Sequence, residues 1–455
     1  MGAGKSVLGE EAARRIGRPF VDVDRRIEEH AVVTISELFA RRGETEFRVL
    51  EEEAVRSALR SSQPSVIALG GGAVGSAASR RLLRERAITL EVPIDVDTAW
   101  ERSRGGGRPL ARDETEFRRL YETRRPLYED VADAKARDAD DIVLAAAGIH
   151  VGLGALGHVR GLTPDVAFAL VSEPHVLGIH GAAAQVALGP GLASVHELPT
   201  GEEAKTVAAV ERLWHELQLP RAGAIVALGG GALTDAAGFV AATYLRGVPW
   251  LSVPTSLVGQ VDAGIGGKTA IDLPAGKNLV GAFHWPVRTV IDPSLLATLP
   301  EHERREGMAE VVKTGLLAVE PLWELPDAEL VRRCAAFKAA VCLRDPRESG
   351  ERAILNLGHT FAHALEAAAG YDGVTHGQAV ALGLLAALRL SGRSTAVVEE
   401  LLAPRRVRVD RERAWAALGR DKKTGLVLLG DEGPRWDVQL PEDDIRRELD
   451  SLIAD

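Results

Sequence analysis

Short apolar runs that end in glycine or proline alternate with charged, helix-like stretches over the first 140 residues. The runs PSVIALGGG (64–72) and AITLEVPID (87–95) have the apolar continuity of buried strands. Strands that alternate with helices in this way predict a small α/β unit with a parallel sheet. The small apolar residues 145–148 are the predicted junction with the rest of the chain.

The pattern after that junction predicts a second α/β region and then a helical one. Strand-like runs lie at Gly223–Leu228, Pro249–Val253 and Thr289–Ile291. Beyond about Leu299 the strand signals fade and helical periodicity continues to the end. We therefore predict three domains, with bounds 1–145, 146–298 and 299–455.

Composition narrows the function classes. The 455 residues are 46% hydrophobic and 26% charged, as in ordinary globular proteins. A net charge of −10 disfavours nucleic acid as a partner, although local Lys and Arg clusters still allow small anionic substrates. No apolar run approaches the roughly 18 residues of a membrane span, and secretory-signal zones are missing. Cys334 and Cys342 lack CxxC spacing, so we expect reduced core residues in a cytoplasmic protein.

Two histidines share a predicted helix in the segment NLGHTFAHALEAAAG (356–370). His359 and His363 lie four residues apart, so both rings project from one face. A metalloprotease would carry HExxH, but Thr360 follows the first histidine, which disfavours a peptidase. The alternative for an isolated HxxxH is a surface or core feature without a metal.

A third histidine and a carboxylate turn this pair into a candidate metal site. His376 follows in a predicted loop, THGQAVALG, and Glu310 stands upstream in GMAEVVKTG. Two imidazoles, a carboxylate and an open position are what a catalytic zinc site needs, and such a metal acts as a Lewis acid. The alternative is an ordinary helical ion pair between Glu310 and Lys313.

The run AIVALGGGALTD (224–235) predicts a strand, a glycine turn and a helix that begins near Thr234. Glycines at such a turn let backbone N–H groups approach a pyrophosphate at the helix N-terminus. The run differs from the GxGxxG fingerprint, and a tight turn without ligand is the alternative.

Basic residues follow in the glycine-rich segment VDAGIGGKTAIDLPAGKN (261–278). Its GGKT is a false Walker A match, because the first glycine would fall at Asp262. The segment and its surroundings nevertheless offer many donors for anions. These are Arg246, Lys268, Lys277, Asn278, Lys338, Arg352 and Asn356.

These motifs, in this order, resemble the 3-dehydroquinate synthases over most of residues 223–384. The resemblance implies an NAD-binding α/β domain followed by a helical metal-binding domain. It implies conversion of the phosphorylated keto acid DAHP to 3-dehydroquinate and phosphate, in aromatic amino-acid biosynthesis. Implied cofactors are NAD and zinc or cobalt, and a homodimer is implied as well. The alternative of related fold is a metal-dependent polyol dehydrogenase.

The resemblance also assigns roles to residues. The implied metal ligands are Glu310, His359 and His376, with His363 facing the substrate. The implied phosphate contacts are Arg246, Lys268, Asn278 and a lysine of RDKKTG, Lys422 or Lys423. Lys338 and Arg352 would hold the carboxylate. Asp262, Lys313 and Asn356 would lie near the reacting hydroxyls. The implied NAD contacts are Gly229, Gly230, Gly231, Asp235 and Lys277, with the ribose-contacting strand end at VLGIHGAAA (176–184).

The first residues, MGAGKS, form the second half of a Walker A loop. In such a loop Lys5 reaches the β- and γ-phosphates of ATP and Ser6 reaches Mg²⁺. With PFVDVDRRIEE, ETEFRVLEEE, ALGGGAV, GGGRPLA and ETRRPLYEDVA the segment resembles the shikimate kinases.

That resemblance implies a nucleotide loop with Gly4 and Lys5, and Mg²⁺ positioned by Ser6 and Asp22. Asp24 would meet the shikimate hydroxyl and Arg108 would come from a lid over the phosphates. Further substrate contacts would be Arg48, Gly71, Gly72 and Arg124.

A P-loop is normally preceded by a buried strand, but this sequence starts at the loop. Losing some five buried apolar side chains would cost on the order of 10 kcal/mol. We therefore expect the natural start to lie upstream, with a crippled kinase as the alternative. A non-catalytic nucleotide-binding or interaction module is the other interpretation of residues 1–145.

Overall fold

The computed structural model describes residues 2–105, 113–162, 166–370, 373–421 and 425–455. The chain divides into two compact units, Met1–Ala147 and Gly148–Asp455. No helix within the described ranges is long and apolar enough to cross a membrane.

Helices and four short strands alternate in the first unit, as the apolar pattern predicts. The strands are β1 (Phe20–Asp22), β2 (Val66–Ala68), β3 (Leu90–Glu91) and β4 (Ala134–Lys135). The helices are α1 (Lys5–Arg15), α2 (Val23–Ala31), α3 (Ile35–Leu59), α4 (Ala77–Arg86), α5 (Val96–Ser103), α6 (Glu114–Val131) and α7 (Ala139–Ala146). Strand β1 pairs in parallel with β2, and β3 pairs in parallel with β4.

Two features of this unit follow from local sequence. The predicted strand in AITLEVPID is only two residues long, and Pro93, which has no N–H to donate to a ladder, follows it closely. The carboxylate of Asp22 caps α2 by accepting from the backbone N–H groups of Asp24 and Arg25. That cap fixes the turn between β1 and α2, where both predicted acidic site residues lie.

A six-stranded parallel sheet forms the centre of the second unit. Its strands are β5 (Ile149–Val151), β6 (Phe168–Ser172), β7 (Leu192–Glu197), β8 (Ala224–Gly229), β9 (Trp250–Pro254) and β12 (Arg288–Ile291). Their order across the sheet is β5-β12-β9-β8-β6-β7. Every residue of β6, β8 and β9 is buried, because helices cover both faces of the sheet.

The helices around this sheet are α8 (Pro174–Val176), α9 (Ala182–Leu188), α10 (Val207–Glu216) and α11 (Gly231–Thr243). Between β9 and β12 the chain forms an antiparallel ribbon of β10 (Lys268–Leu273) and β11 (Gly276–Phe283). One prediction is wrong here, because VLGIHGAAA is helical and the preceding strand ends earlier, at Ser172. This alanine- and glycine-containing run lacks the β-branched continuity of a buried strand.

The last part of the chain is mainly helical, as predicted. Its helices are α12 (Glu301–Ala318), α13 (Asp327–Arg344), α14 (His359–Ala368), α15 (His376–Leu390), α16 (Ala396–Leu402), α17 (Arg411–Asp421) and α18 (Glu442–Ser451). The sequence analysis missed two strands in this part: β13 (Leu426–Gly430) and β14 (Gly433–Val438) form an antiparallel hairpin. Helix α15 packs at the centre of this part and is buried from Ala379 to Leu388.

Candidate active sites

A cleft of about 1130 Å³ in the second unit combines the glycine turn with one of the predicted metal ligands, His376. The carboxyl ends of β6, β8 and β9 meet at one edge of the parallel sheet, where ligands bind in open α/β folds. Gly230, Gly231 and Asp235 line the cleft, as do Asp262, His363 and His376.

The glycine turn joins β8 directly to α11. The helix begins at Gly231, three residues before the predicted start, and no side chain caps its first turn. A Cβ added at Gly231 would lie 2.9 Å from the Cβ of Ala263, so this wall of the cleft has no room for a side chain. Uncapped N–H groups beside a bare backbone fit a pyrophosphate, which is the group that NAD would place here.

A buried lysine missed by the sequence analysis lies beside this turn. Lys205 donates to a carboxylate oxygen of Asp235 at 3.0 Å and contacts Asn278. Burial raises the pKa of Asp235 to about 6, even though the charge of Lys205 opposes that shift. The segment GEEAKT, which precedes α10, was the available signal for Lys205. Lys277 instead pairs with the exposed Glu202 at 3.1 Å.

The three predicted metal ligands converge from three different helices. Glu310 comes from α12, and its oxygen Oε1 lies 3.4 Å from His359 Nε2 and 3.1 Å from His376 Nε2. One ligand atom from each residue lies within 4.8 Å of the other two. Two imidazoles and one carboxylate at this spacing are a donor set that fits zinc or cobalt.

The electrostatics of the triad keep its carboxylate ionised. Burial alone would raise the pKa of Glu310, but the charge of Lys313 lowers it well below its usual range. Burial and the charge of Lys313 lower the pKa of His359, which favours the neutral imidazole that a metal binds.

The predicted loop at His376 is a helix start. His376 is the first residue of α15, and His359 is the first residue of α14. Gly358 before α14 has φ of 79°, and a Cβ there would come within 2.8 Å of Leu384 N in α15. Glycine therefore allows the two histidine-bearing helices to approach closely. The short run between Gly370 and Thr375 gave no helical periodicity, so the sequence did not reveal this start.

A buried ion cluster adjoins the triad. Lys338 Nζ lies 2.8 Å from an oxygen of Asp262, and Lys313 Nζ lies 3.6 Å from the same oxygen. Lys313 also contacts Glu310 of the triad. Burial would raise the pKa of Asp262, but the charges of Lys313 and Lys338 lower it to about 2. Asp262 is therefore ionised at neutral pH.

A second cluster joins two more predicted residues through a carboxylate that the sequence did not reveal, and the predicted Arg352 belongs to the same loop. Glu348 lies 2.5 Å from Lys268 Nζ and accepts from Asn356 Nδ2 at 3.4 Å. Arg352 is almost completely buried and donates to the carbonyl of Gly266 at 3.1 Å. Glu348 has φ of 54°, a left-handed conformation that is strained for a glutamate and was invisible in the sequence pattern.

One predicted phosphate contact, Arg246, does not join this group. Arg246 is exposed, has φ of 68° and is not among the residues that line the cleft. Lys422 and Lys423 lie outside the described residues.

The first unit carries its predicted residues around a separate cavity of about 480 Å³. Its lining includes Gly4, Lys5, Ser6, Asp22, Asp24, Arg48, Gly71, Gly72 and Arg124. The hydroxyl of Ser6 donates to Asp22 Oδ2 at 2.6 Å, and this pair of hard oxygens fits Mg²⁺. Arg108 lies outside the described residues.

Glycines and one missed carboxylate shape the substrate side of that cavity. A Cβ at Gly72 would lie 1.9 Å from Arg48 Nη1, and one at Gly70 would meet both Asp24 and Glu51 at 2.6 Å. The buried Glu51 holds Arg48 at 2.5 Å. The backbone of the GGG run must therefore stay bare for the arginine and the two carboxylates to converge.

Comparison with known families decides the identity of both units. The model of the 3-dehydroquinate synthase N-terminal domain matches residues 195–306, and that of the C-terminal domain matches residues 307–424. A 3-dehydroquinate synthase of Geobacter metallireducens is 40% identical over 329 residues, which are 65% of this chain and 91% of that protein. The chain belongs to the 3-dehydroquinate synthase family. The shikimate kinase family model matches residues 1–147, so a shikimate kinase domain precedes the synthase part.

Further relatives agree with this assignment to the synthase family. A 3-dehydroquinate synthase of Bordetella pertussis is 38% identical over 341 residues, 66% of this chain and 95% of that protein. The solved structure of a 2-deoxy-scyllo-inosose synthase with carbaglucose-6-phosphate, NAD⁺ and Co²⁺ is 26% identical, with a TM-score of 0.59. It covers 67% of this chain and 96% of its own. The predicted family, fold class and cofactors are confirmed.

Proposed function

We propose that residues 148–455 convert DAHP to 3-dehydroquinate and phosphate. The observation that carries this proposal is that the zinc-type triad, the glycine turn and a group of mostly buried cations belong to one region of the unit. A polyol dehydrogenase needs the first two of these features. Only a substrate with anionic groups needs the third.

The cations of this region suit a substrate that carries both a phosphate and a carboxylate. Lys338 and Arg352 are buried, whereas Lys268 is exposed. Lys338 contacts Asp262 and Lys268 contacts Glu348, but Arg352 donates to the backbone carbonyls of Gly266 and Pro346. Burying a cation is costly unless an anion compensates it, so the buried Arg352 favours an anionic group on the ligand. Charge-assisted hydrogen bonds from Lys and Arg would hold the phosphate and stabilise it as it departs.

The remaining residues would orient the reacting hydroxyls. NAD, when bound, supplies reversible hydride acceptance, and a divalent metal supplies polarisation of substrate oxygens. Asp262 stays ionised and forms ion pairs with Lys313 and Lys338 beside the triad. His363 lines the cleft with its ring centroid 5.5 Å from that of His359, so it can donate to or accept from a substrate hydroxyl.

Phosphate release from DAHP tests this proposal. We expect the full chain with NAD and zinc to release phosphate without accumulating NADH, and a chelator to stop the release until zinc is restored. Lys268→Met should raise the KM for DAHP, because it removes a positive charge while it keeps a side chain of similar length. Phosphate release that survives complete metal removal would overturn the proposal.

For the first unit we propose ATP-dependent phosphorylation of shikimate. The supporting observation is that one cavity is lined by the loop lysine Lys5, the oxygen pair Ser6–Asp22 and the polar residues Asp24 and Arg124. Phosphoryl transfer depends mainly on positioning and charge stabilisation, which these groups can supply. ADP formation that requires shikimate tests the proposal, and ATP turnover independent of shikimate would contradict it.

We also propose that the chain forms a homodimer through its synthase part and acts in the cytoplasm, where NAD and ATP are present. Exposed apolar residues of the β10–β11 ribbon, Leu279 and Phe283, support a protein contact there. Light scattering on the purified chain tests the dimer, and a monomer at micromolar concentration would contradict it. Cell fractionation tests the location.

A further inference from the structure

The two histidines of the triad are oriented by different partners. His359 Nδ1 lies 3.3 Å from the backbone carbonyl of Leu357, and His376 Nδ1 lies 3.3 Å from Glu366 Oε1. A carbonyl only accepts, so Nδ1 of His359 carries the proton. An ionised carboxylate likewise accepts, which places a proton on Nδ1 of His376. Both rings then direct Nε2 toward Glu310.

Glu366 is well placed for this role. It lies on α14, seven residues after His359 and therefore on the same face of the helix. Its side chain is only 8% exposed, whereas that of His376 is 40% exposed. A half-exposed imidazole has few packing contacts to fix its ring, so a buried carboxylate behind it supplies that constraint.

A second carboxylate, that of Glu306, binds the backbone directly after His376. Glu306 Oε2 accepts from the backbone N–H of Gly377 at 2.5 Å, directly after His376. Thr375, at the N-cap position of α15, makes no side-chain cap of its own. Glu306 therefore supplies the cap from another helix, α12, one turn before Glu310.

The close approach of these helices depends on glycine. A Cβ at Gly377 would lie 2.6 Å from the Cα of Glu306 and 2.8 Å from its carbonyl oxygen. The first turn of α15 thus packs directly on the backbone of α12. Glu306 and Glu310 lie four residues apart on α12, and both face the first turn of α15. Glu306 contacts the backbone of that turn, and Glu310 contacts the ring of His376.

We propose that Glu366 and Glu306 are positioning residues of the metal centre, Glu366 by fixing the ring of His376 and Glu306 by anchoring the first turn of α15. The inference rests on the proposed metal-dependent function. It adds that metal affinity depends on two carboxylates that are not ligands themselves. Outer partners of metal-bound histidines typically contribute about 10–100-fold to affinity.

Metal affinity of the full chain, measured apart from catalysis, tests the proposal. The metal-free protein is titrated with zinc against a chromophoric chelator, and with Co²⁺ while its visible absorption spectrum is recorded. We expect Glu366→Gln to weaken zinc binding by about 10–100-fold and to change the Co²⁺ spectrum. Glu306→Ala should weaken zinc binding by about tenfold, and Glu306→Gln, which keeps an acceptor for Gly377, should recover most of that loss.

Controls separate this role from general destabilisation. Glu301→Gln changes an exposed carboxylate on the same helix α12 and should bind zinc as the wild type does. NAD affinity and the melting temperature of the metal-free Gln variants should equal those of the wild type. Wild-type zinc affinity and an unchanged Co²⁺ spectrum in Glu366→Gln would overturn the role of Glu366. Equal affinities for Glu306→Ala and wild type would overturn that of Glu306. A wild type that binds no zinc would refute the metal-dependent function itself, which is a distinct outcome.

Discussion

A substitution in one of the two cavities should affect one reaction only, because each cavity is lined by residues of a single unit. Lys5 belongs to the nucleotide cavity, and Arg352 belongs to the buried cation group of the synthase part. Substitutions at these positions should therefore give separable phenotypes.

Lys5→Met should lower the rate of shikimate phosphorylation by roughly 10²–10³-fold, because it removes a positive charge aimed at the transferring phosphate. Phosphate release from DAHP should stay at the wild-type rate. Lys135→Met, which changes an exposed lysine of the same unit, is the matched control. Undiminished phosphorylation by Lys5→Met would exclude this lysine from catalysis.

Gly266→Ala should raise the KM for DAHP while zinc affinity stays unchanged. Gly266 has φ of +93°, and an added Cβ would come within 2.7 Å of both Arg352 Nη2 and Cys342 Sγ. The guanidinium must then move away from the Gly266 carbonyl. Gly157→Ala, which meets nothing within 4 Å, is the control for steady-state kinetics. An unchanged KM would show that Arg352 does not bind the substrate.

The loop between α13 and α14 depends on one carboxylate as its anchor. Asp345 accepts from the backbone N–H groups of Ser349 at 2.9 Å, Gly350 at 2.8 Å and Arg352 at 3.1 Å. Burial would raise the pKa of Asp345, but these hydrogen bonds lower it to about 2. Both Glu348 and Arg352 belong to this loop, so Asp345 supports part of the proposed anion site.

Asp345→Asn should lower the free energy of unfolding at neutral pH by about 1–3 kcal/mol. The folded pKa is depressed, so the contribution is present above the unfolded pKa near 4 and is lost as pH falls toward 2. Urea unfolding at several pH values should therefore show the two proteins converging between about pH 4.5 and 2.5. Asp431→Asn, at an exposed ion pair, is the control. A difference that is independent of pH would contradict the account.

Sequence patterns predicted the elements whose signals are continuous. The apolar run 224–228 followed by three glycines identified β8 and its turn, and the His359–His363 spacing identified α14. The hairpin β13–β14 was missed because its second strand contains Pro434 and charged residues and is largely unburied, so it gives no continuous apolar signal. Glu348, Glu366 and Glu306 were missed because their roles arise from contacts between distant segments, and surface glutamates look the same in sequence.

For the whole molecule, the division into two compact units predicts separate responses to ligands. A ligand that binds only the native state stabilises it by about 2.7 kcal/mol at a hundred times its Kd. Shikimate with ADP and Mg²⁺ should raise one calorimetric transition of the full chain, and NAD with zinc should raise the other. A single transition that both ligand sets raise equally would show that the units do not unfold independently.

The most direct test of the account follows both reactions in one preparation of the full chain by ³¹P and ¹H NMR, with NADH followed by its absorbance. DAHP with NAD and zinc is supplied first, and shikimate with ATP and Mg²⁺ is supplied second. The account predicts inorganic phosphate and 3-dehydroquinate in equal amounts without net NADH, and then ADP and shikimate phosphate in equal amounts. NADH accumulation from glycerol-like alcohols with no phosphate from DAHP would contradict the synthase. An active synthase with unphosphorylated shikimate would contradict the kinase and make the first unit a non-catalytic module.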